Sequence, residues 1–336
     1  MRTRPPFPGV AVVTGASAGV GRATAVELAR HGCDVALLAR GSAGLDAAAR
    51  EVERCGRRAV AVPTDVACYD EVADAARAAE AALGPIELWC NVAMTTVFAP
   101  IADTMPADFA RAVDVTFLGQ VWGTKVALAH MTPVDRGTIV NVGSALAYLG
   151  IPLQAAYCAS KFACRGFSQS VRAELLHANS SIRLHMVELP AVNTPQFDWC
   201  ATTLHHKPRP VAPVYKPETA ARAIVRTARG HKANRILGVW NRGVVLAASI
   251  VPNVAVHFAA RTAVEGQITD EPIRPPRPEN LRAPADDDRD YGAEGRFGSE
   301  AHGMLDPQFW KSSPSTIRNL VGAIVDATAD RLHAES

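Results

Sequence analysis

The chain has 336 residues, 48% hydrophobic and 20% charged, which is enough apolar material for a sizeable core and an ordinary balance for a globular enzyme. Its 35 Lys and Arg against 33 Asp and Glu leave a net charge of +2, so no global charge points to nucleic acid or to an acidic partner. The seven cysteines (Cys33, Cys55, Cys68, Cys90, Cys158, Cys164 and Cys200) fall in no C-x-x-C or Cys/His spacing, which argues against a metal site or disulfide framework and for a reduced, cytoplasmic protein.

The first residues carry two arginines but no apolar stretch before the first β-type run, so no secretory signal is expected. Apolar runs at 10–14, 34–39, 59–63, 86–90, 137–142, 183–188 and 235–239 predict strands. Ala-rich segments with helical spacing lie between them, among them 21–31, 69–83 and 154–178. Strict βα alternation with near-continuous apolar strands implies an α/β protein. Its core is a parallel, seven-stranded, doubly wound sheet of Rossmann type over residues 1–240, with helices on both faces.

Residues 241–336 read as a C-terminal extension. The apolar stretch 243–260 is short for a bilayer span and contains Pro252, Asn253 and His257. It predicts a buried or interface helix broken near Pro252, with monotopic membrane contact as the competing reading. Residues 268–310 are rich in Pro and charge and poor in large apolar side chains, which predicts an extended arm or a disordered linker. An amphipathic helix is expected at 314–333, with Ile317, Leu320, Val321, Ile324, Val325 and Leu332 on one face and Ser313 and Pro314 as N-cap and first residue.

The first strand runs through Thr14-Gly15-Ala16-Ser17-Ala18-Gly19-Val20-Gly21 directly into a helix. Glycine at 15, 19 and 21 permits a tight turn and a close approach of backbone to a pyrophosphate, which the helix N-terminus favours. An ordinary βα turn is the plainer reading of the glycines alone. The spacing resembles the TGxxxGxG signature of the short-chain dehydrogenase/reductase family, and further motifs follow in that family's order over about residues 8–240. The resemblance implies that Gly15, Ser17, Ala18, Gly19, Val20 and Gly21 hold a dinucleotide, and that Asp65 and Val66 meet its adenine. Asn91-Val92-Ala93-Met94 matches the family's NNAG turn at Asn91 and Ala93 and departs from it at Met94. In Pro190-Ala191-Val192-Asn193-Thr194, alanine replaces the family's glycine in a stiffer turn. Pro190 and Val192 remain at the cofactor, and Thr194 remains the partner of the nicotinamide carboxamide.

The end of the second strand, Leu38-Ala39-Arg40, has alanine where an NAD-selective site holds an acid. The adjacent Arg40 guanidinium suits a 2′-phosphate, with Ser17 as an added donor, so NADP(H) is the expected cofactor.

Tyr157 and Lys161 are four residues apart and share a helix face, and a tyrosine needs a nearby cation to exchange protons near neutrality. Ser144 ends a central strand, where open α/β sheets place ligands. The resemblance implies hydride transfer between a nicotinamide and a carbonyl or alcohol carbon. Tyr157 would be general acid/base, Ser144 would position the oxygen, and Lys161 would hold the nicotinamide ribose. Thr116 stands where the family has a fourth catalytic residue, an Asn, and its hydroxyl has less reach for a proton relay.

Loops 145–153, with Tyr148 and Leu149, and 195–217, with Phe197 and Trp199, favour a bulky apolar carbonyl or alcohol; His205 and His206 read as solvated. The helices carrying Thr116 and Tyr157 form subunit interfaces in relatives, which implies a homodimer or homotetramer. Two other readings stand beside the reductase. One is a catalytically weak NAD(P)-binding scaffold or redox-sensing interaction protein, and the other is an enzyme attached to a membrane through 243–260.

Overall fold

A computed structural model describes residues 9–303. Seven strands form one parallel sheet: β1 (Val10–Thr14), β2 (Asp34–Ala39), β3 (Ala59–Pro63), β4 (Ile86–Asn91), β5 (Thr138–Ser144), β6 (Arg183–Leu189) and β7 (Asn234–Ile236). Their order across the sheet is β7-β6-β5-β4-β1-β2-β3, so the winding reverses between β1 and β4, the crevice where such sheets bind ligands.

Both faces of the central strands are apolar, so alternate residues serve opposite helical layers. Ala11, Val13, Val35 and Leu37 pack with α1 (Gly19–Arg30), α2 (Ser42–Arg54) and α7 (Pro217–Ala228). Val10, Val12, Ala36 and Leu38 pack with α3 (Tyr69–Leu83), α5 (Gly119–Met131) and α6 (Ala155–His177). Helix α4 (Pro106–Val113) runs into α5 through a π-helical turn at Asp114–Leu118. The seventh strand is shorter than the 235–239 run suggests. Gly238 turns the chain at φ +85°, and Val239 already begins the next helix.

The segment 243–260 forms two helices, α8 (Val239–Ile250) and α9 (Pro252–Thr262), broken before Pro252, which has no N–H to continue α8. Among the described residues no helix is long and apolar enough to cross a membrane. Next comes an arm whose first residues, Ile268–Pro272, pair antiparallel with His206–Pro208. Over its described residues this arm is extended and packed, not a disordered linker. Leu281 is fully buried beside Val97, Ala112 and Ala156, and Phe297 is buried beside Phe98, Phe197 and Cys200. Two such plugs supply about 2 kcal/mol each, and amides of the body donate to the carbonyls of Asp286, Asp287 and Gly292 between them. The helix expected at 314–333 lies outside the described residues.

Candidate active site

The site is a cavity of about 670 Å³ along the carboxyl ends of β1, β4, β5 and β6. Its floor is the turn after β1. Gly15 has φ +67° and Gly19 φ +57°, a backbone region that L side chains rarely enter, and a Cβ on Gly21 would sit on the carbonyl oxygen of Gly15. The turn therefore keeps side chains out of the way at the start of α1, where the helix end favours an anion, a cradle that fits a pyrophosphate. Thr14 fastens it to the end of β4, its hydroxyl accepting from the amides of Val92 (3.0 Å) and Ala93 (3.1 Å).

Strand β5 and helix α6 bring the polar groups together. The amide of Leu146 donates to Ser144 Oγ at 3.1 Å, and Ser144 is hydrogen-bonded to Tyr157. Lys161 is one helical turn beyond, 2% exposed, its Nζ donating to the Val142 carbonyl at 2.8 Å and lying 5.6 Å from the centre of the Tyr157 ring. Burial raises the Tyr157 phenol above its ordinary value, partly offset by the bond with Ser144. Burial lowers Lys161, against the attraction of Cys164 and Glu188. On the neighbouring strand the buried Glu188 carboxyl is pushed up to about 7 by desolvation, with Lys161 pulling the other way.

Gly15, Ser17, Ala18, Gly19, Val20, Gly21, Arg40, Asp65, Val66, Ala93, Ser144, Tyr157, Lys161, Pro190, Val192 and Thr194 all line this cavity. Asn91 and Thr116, the other two predicted site residues, do not. Asn91 is fully engaged behind the wall, donating from Nδ2 to Asn141 Oδ1 (2.8 Å) and Thr124 Oγ1 (3.1 Å) and accepting from Trp89 Nε1 (2.8 Å). It ties β4 to β5 and α5 from behind the cavity wall. Thr116, in the π turn, spends its hydroxyl on the peptide groups of Thr95, and its carbonyl accepts from Cys164 Sγ at 3.3 Å.

Arg40 lines the cavity, but its guanidinium is not free. It donates to the carbonyls of Asn280, Leu281 (3.4 Å) and Arg282 (3.0 Å) on the arm. Asp65 pairs with Arg111 and also accepts from the amide of Ala67 at 3.0 Å. Among the loop residues, Leu149, Phe197 and Trp199 line the cavity. Tyr148 turns away, accepting from Asn234 Nδ2 at 3.0 Å and stacking on Arg165. His205 and His206 are exposed.

Two contributions were missed by sequence reasoning. The outer apolar wall comes from α8 and α9, through Trp240, Val244 and Phe258. A buried polar knot also joins β5 to α6, where Asn141 Nδ2 donates to Ser168 Oγ at 2.9 Å. An asparagine inside an apolar strand is the signal that points to it.

Comparison with known proteins agrees with this geometry. The model of a family described as short chain dehydrogenase matches residues 9–201. An uncharacterized oxidoreductase, YxnA, of Bacillus subtilis is 28% identical over 268 residues, 79% of this chain and 75% of its own. A 3-ketodihydrosphingosine reductase of Bos taurus is 29% identical over 235 residues, 68% of this chain and 70% of its own. The crystal structure of a short chain dehydrogenase from Mycobacterium paratuberculosis bound to NAD superposes with a TM-score of 0.61 at 25% identity, covering 69% of this chain and 97% of that one.

Proposed function

Because the chain belongs to the short-chain dehydrogenase/reductase family, a family of oxidoreductases, we propose that it interconverts a bulky, apolar ketone and its secondary alcohol at the Ser144–Tyr157–Lys161 site. The dinucleotide supplies or accepts the hydride. Tyr157 donates its phenolic proton to the carbonyl oxygen in reduction and takes it back in oxidation. Ser144 donates a hydrogen bond to the same oxygen and fixes its position. The Lys161 ammonium, anchored on the Val142 carbonyl, keeps a positive charge beside the tyrosine and offers its remaining donors to a ribose.

The observation that carries this reading is the convergence of these three side chains and the glycine cradle on a single cavity. The apolar wall from Leu149, Phe197, Trp199 and α8–α9 supports a bulky substrate. The name of the bovine relative, a reductase of a long-chain keto compound, points the same way. Residues 1–240 carry the chemistry in this proposal, and the described part of the extension 241–336 supplies the outer wall and the arm. A homodimer or homotetramer through α5 and α6, working in the cytoplasm, completes the proposal.

The NADP(H) expectation depends on a free Arg40 guanidinium. With that group committed to carbonyls of the arm, NADP(H) is not carried into this reading, which is for a nicotinamide dinucleotide. A scaffold that binds without turning over has one observation in its favour, the commitment of the Thr116 hydroxyl to Thr95. The test is turnover of a panel of alicyclic and long-chain ketones and secondary alcohols with either dinucleotide. Turnover that disappears in Tyr157→Phe supports the oxidoreductase; dinucleotide binding with no turnover of any substrate would replace it with the scaffold.

A further inference from the structure

Between its plugs at Leu281 and Phe297, the arm runs along the mouth of the cavity from the end of β2 to the turn after β6. Near its start it takes up the Arg40 guanidinium, and Arg111 Nε also donates to the Leu281 carbonyl at 3.1 Å. In the middle it covers the start of α2. The amide of Ser42 donates to Asp287 Oδ1 (3.1 Å), that of Ala43 to the Asp287 carbonyl (3.1 Å) and that of Gly44 to the Asp286 carbonyl (3.1 Å). Further on, Asp290 pairs with Arg22, whose guanidinium also holds Glu51, and the Gly19 amide donates to the Gly292 carbonyl at 3.2 Å. At the far end the Gly295 amide donates to the Asn193 carbonyl at 3.3 Å.

This route leaves one polar group unaccounted for. Asp286 is only 6% exposed and lines the cavity, and its Oδ2 has no hydrogen-bond partner among the described residues. Its carboxylate lies over Gly41 and Gly44, where a Cβ would collide with it, beside Ser17. A buried carboxylate oxygen without a donor is costly unless a ligand supplies one. The position is the end of β2, where Ala39 leaves the sheet without an acid of its own.

Resting on the reading that the chain binds a nicotinamide dinucleotide, we propose that Asp286, delivered by the C-terminal arm, accepts from the 2′-hydroxyl of the adenosine ribose and so selects NAD(H) over NADP(H). A 2′-phosphate at this corner would find Arg40, Arg22 and the amides at the start of α2 already engaged by the arm. It would also stand against a carboxylate with which it shares its sign of charge. Like charges brought together this way lower affinity by at least about tenfold. The acid absent from β2 is thereby replaced by one some 250 residues later in the chain, and cofactor choice depends on the arm being seated.

The test is direct binding to the full chain, by fluorescence titration with NADH, NADPH and 2′-deoxy-NADH, repeated on Asp286→Asn and Asp286→Ala. Melting temperature without cofactor reports whether each variant folds. Wild type is expected to bind NADH at least about tenfold more tightly than NADPH and to lose about tenfold for the 2′-deoxy compound. Both differences should shrink in the variants. Wild type that prefers NADPH, or that binds NADH and its 2′-deoxy analogue equally, overturns the Asp286 assignment without any variant and leaves the oxidoreductase reading standing. Binding of none of the three overturns the dinucleotide reading itself.

Discussion

Thr116 Oγ1 donates to the carbonyl of Thr95 at 2.7 Å and accepts from the amide of the same residue at 3.0 Å. One hydroxyl thus closes both peptide groups of a residue in the turn after β4, and its single proton is committed to that carbonyl. Thr116→Val keeps the shape but leaves a buried amide and carbonyl unpaired, so stability should fall by about 2 kcal/mol. Because Thr116 does not line the cavity, kcat should fall by less than about tenfold. Urea unfolding and steady-state kinetics on the same preparation check both. A thousandfold loss of kcat with unchanged stability would return Thr116 to the chemistry.

Tyr157→Phe removes the proton donor and keeps the ring over Lys161. Activity should drop by about 10²–10⁴-fold, with dinucleotide affinity within a few-fold of wild type. Burial raises the phenol above its ordinary value, so the acid form is present at every pH below that raised point. Reduction should therefore be nearly flat from about pH 6 to 9, while oxidation, which needs the phenolate, should accelerate with pH. Initial rates in both directions across that range read the difference.

Glu188 is fully buried on β6, in register with Gly143 of β5, and faces Lys161 and Arg165 of α6 and Tyr148 of the loop after β5. Its carboxyl is pushed up to about 7, from an ordinary value of 4.5, mainly by desolvation. The folded protein therefore holds this proton more tightly than the unfolded chain does. The associated stability is fully present below about pH 4.5, is lost as pH rises through about 7, and stays lost above that. A rise of this size is worth about 3 kcal/mol. Glu188→Gln should thus be more stable than wild type at pH 8, by up to that amount, with the gain shrinking toward pH 5. Melting curves of both proteins at several pH values check the sign.

Most of the sheet was legible because its strands are apolar on both faces and end at Gly or polar punctuation; β1, β2 and β3 have the predicted bounds. The grouping of Ser144, Tyr157 and Lys161 in one cavity was legible because their spacing is local, Tyr157 and Lys161 lying one helical turn apart. That Asn91 and Thr116 lie outside the cavity lining was not legible, because a motif position says where the backbone goes, while the partner of a buried polar group is set by strands and helices distant in sequence, here Asn141, Thr124 and Thr95. The arm was read only in part, since its packing depends on two isolated apolar residues, Leu281 and Phe297, and on donors that belong to the body. Composition registers neither.

Arg40 distinguishes the two accounts of cofactor choice. If its guanidinium served a 2′-phosphate, Arg40→Ala would weaken NADPH binding alone. In the structure the guanidinium instead gathers the carbonyls of residues 280–282, next to the Leu281 plug, so its loss frees the start of the arm and takes the donor from the carbonyls of Asn280 and Arg282, while Leu281 keeps Arg111. Arg40→Ala should accordingly lower stability by about 1–2 kcal/mol. It should also weaken NADH binding, by unseating Asp286, and reduce the discrimination against NADPH. Titration with both dinucleotides separates the outcomes: a selective loss of NADPH binding would restore the phosphate role, whereas convergence of the two affinities would place Arg40 as the clasp of the arm.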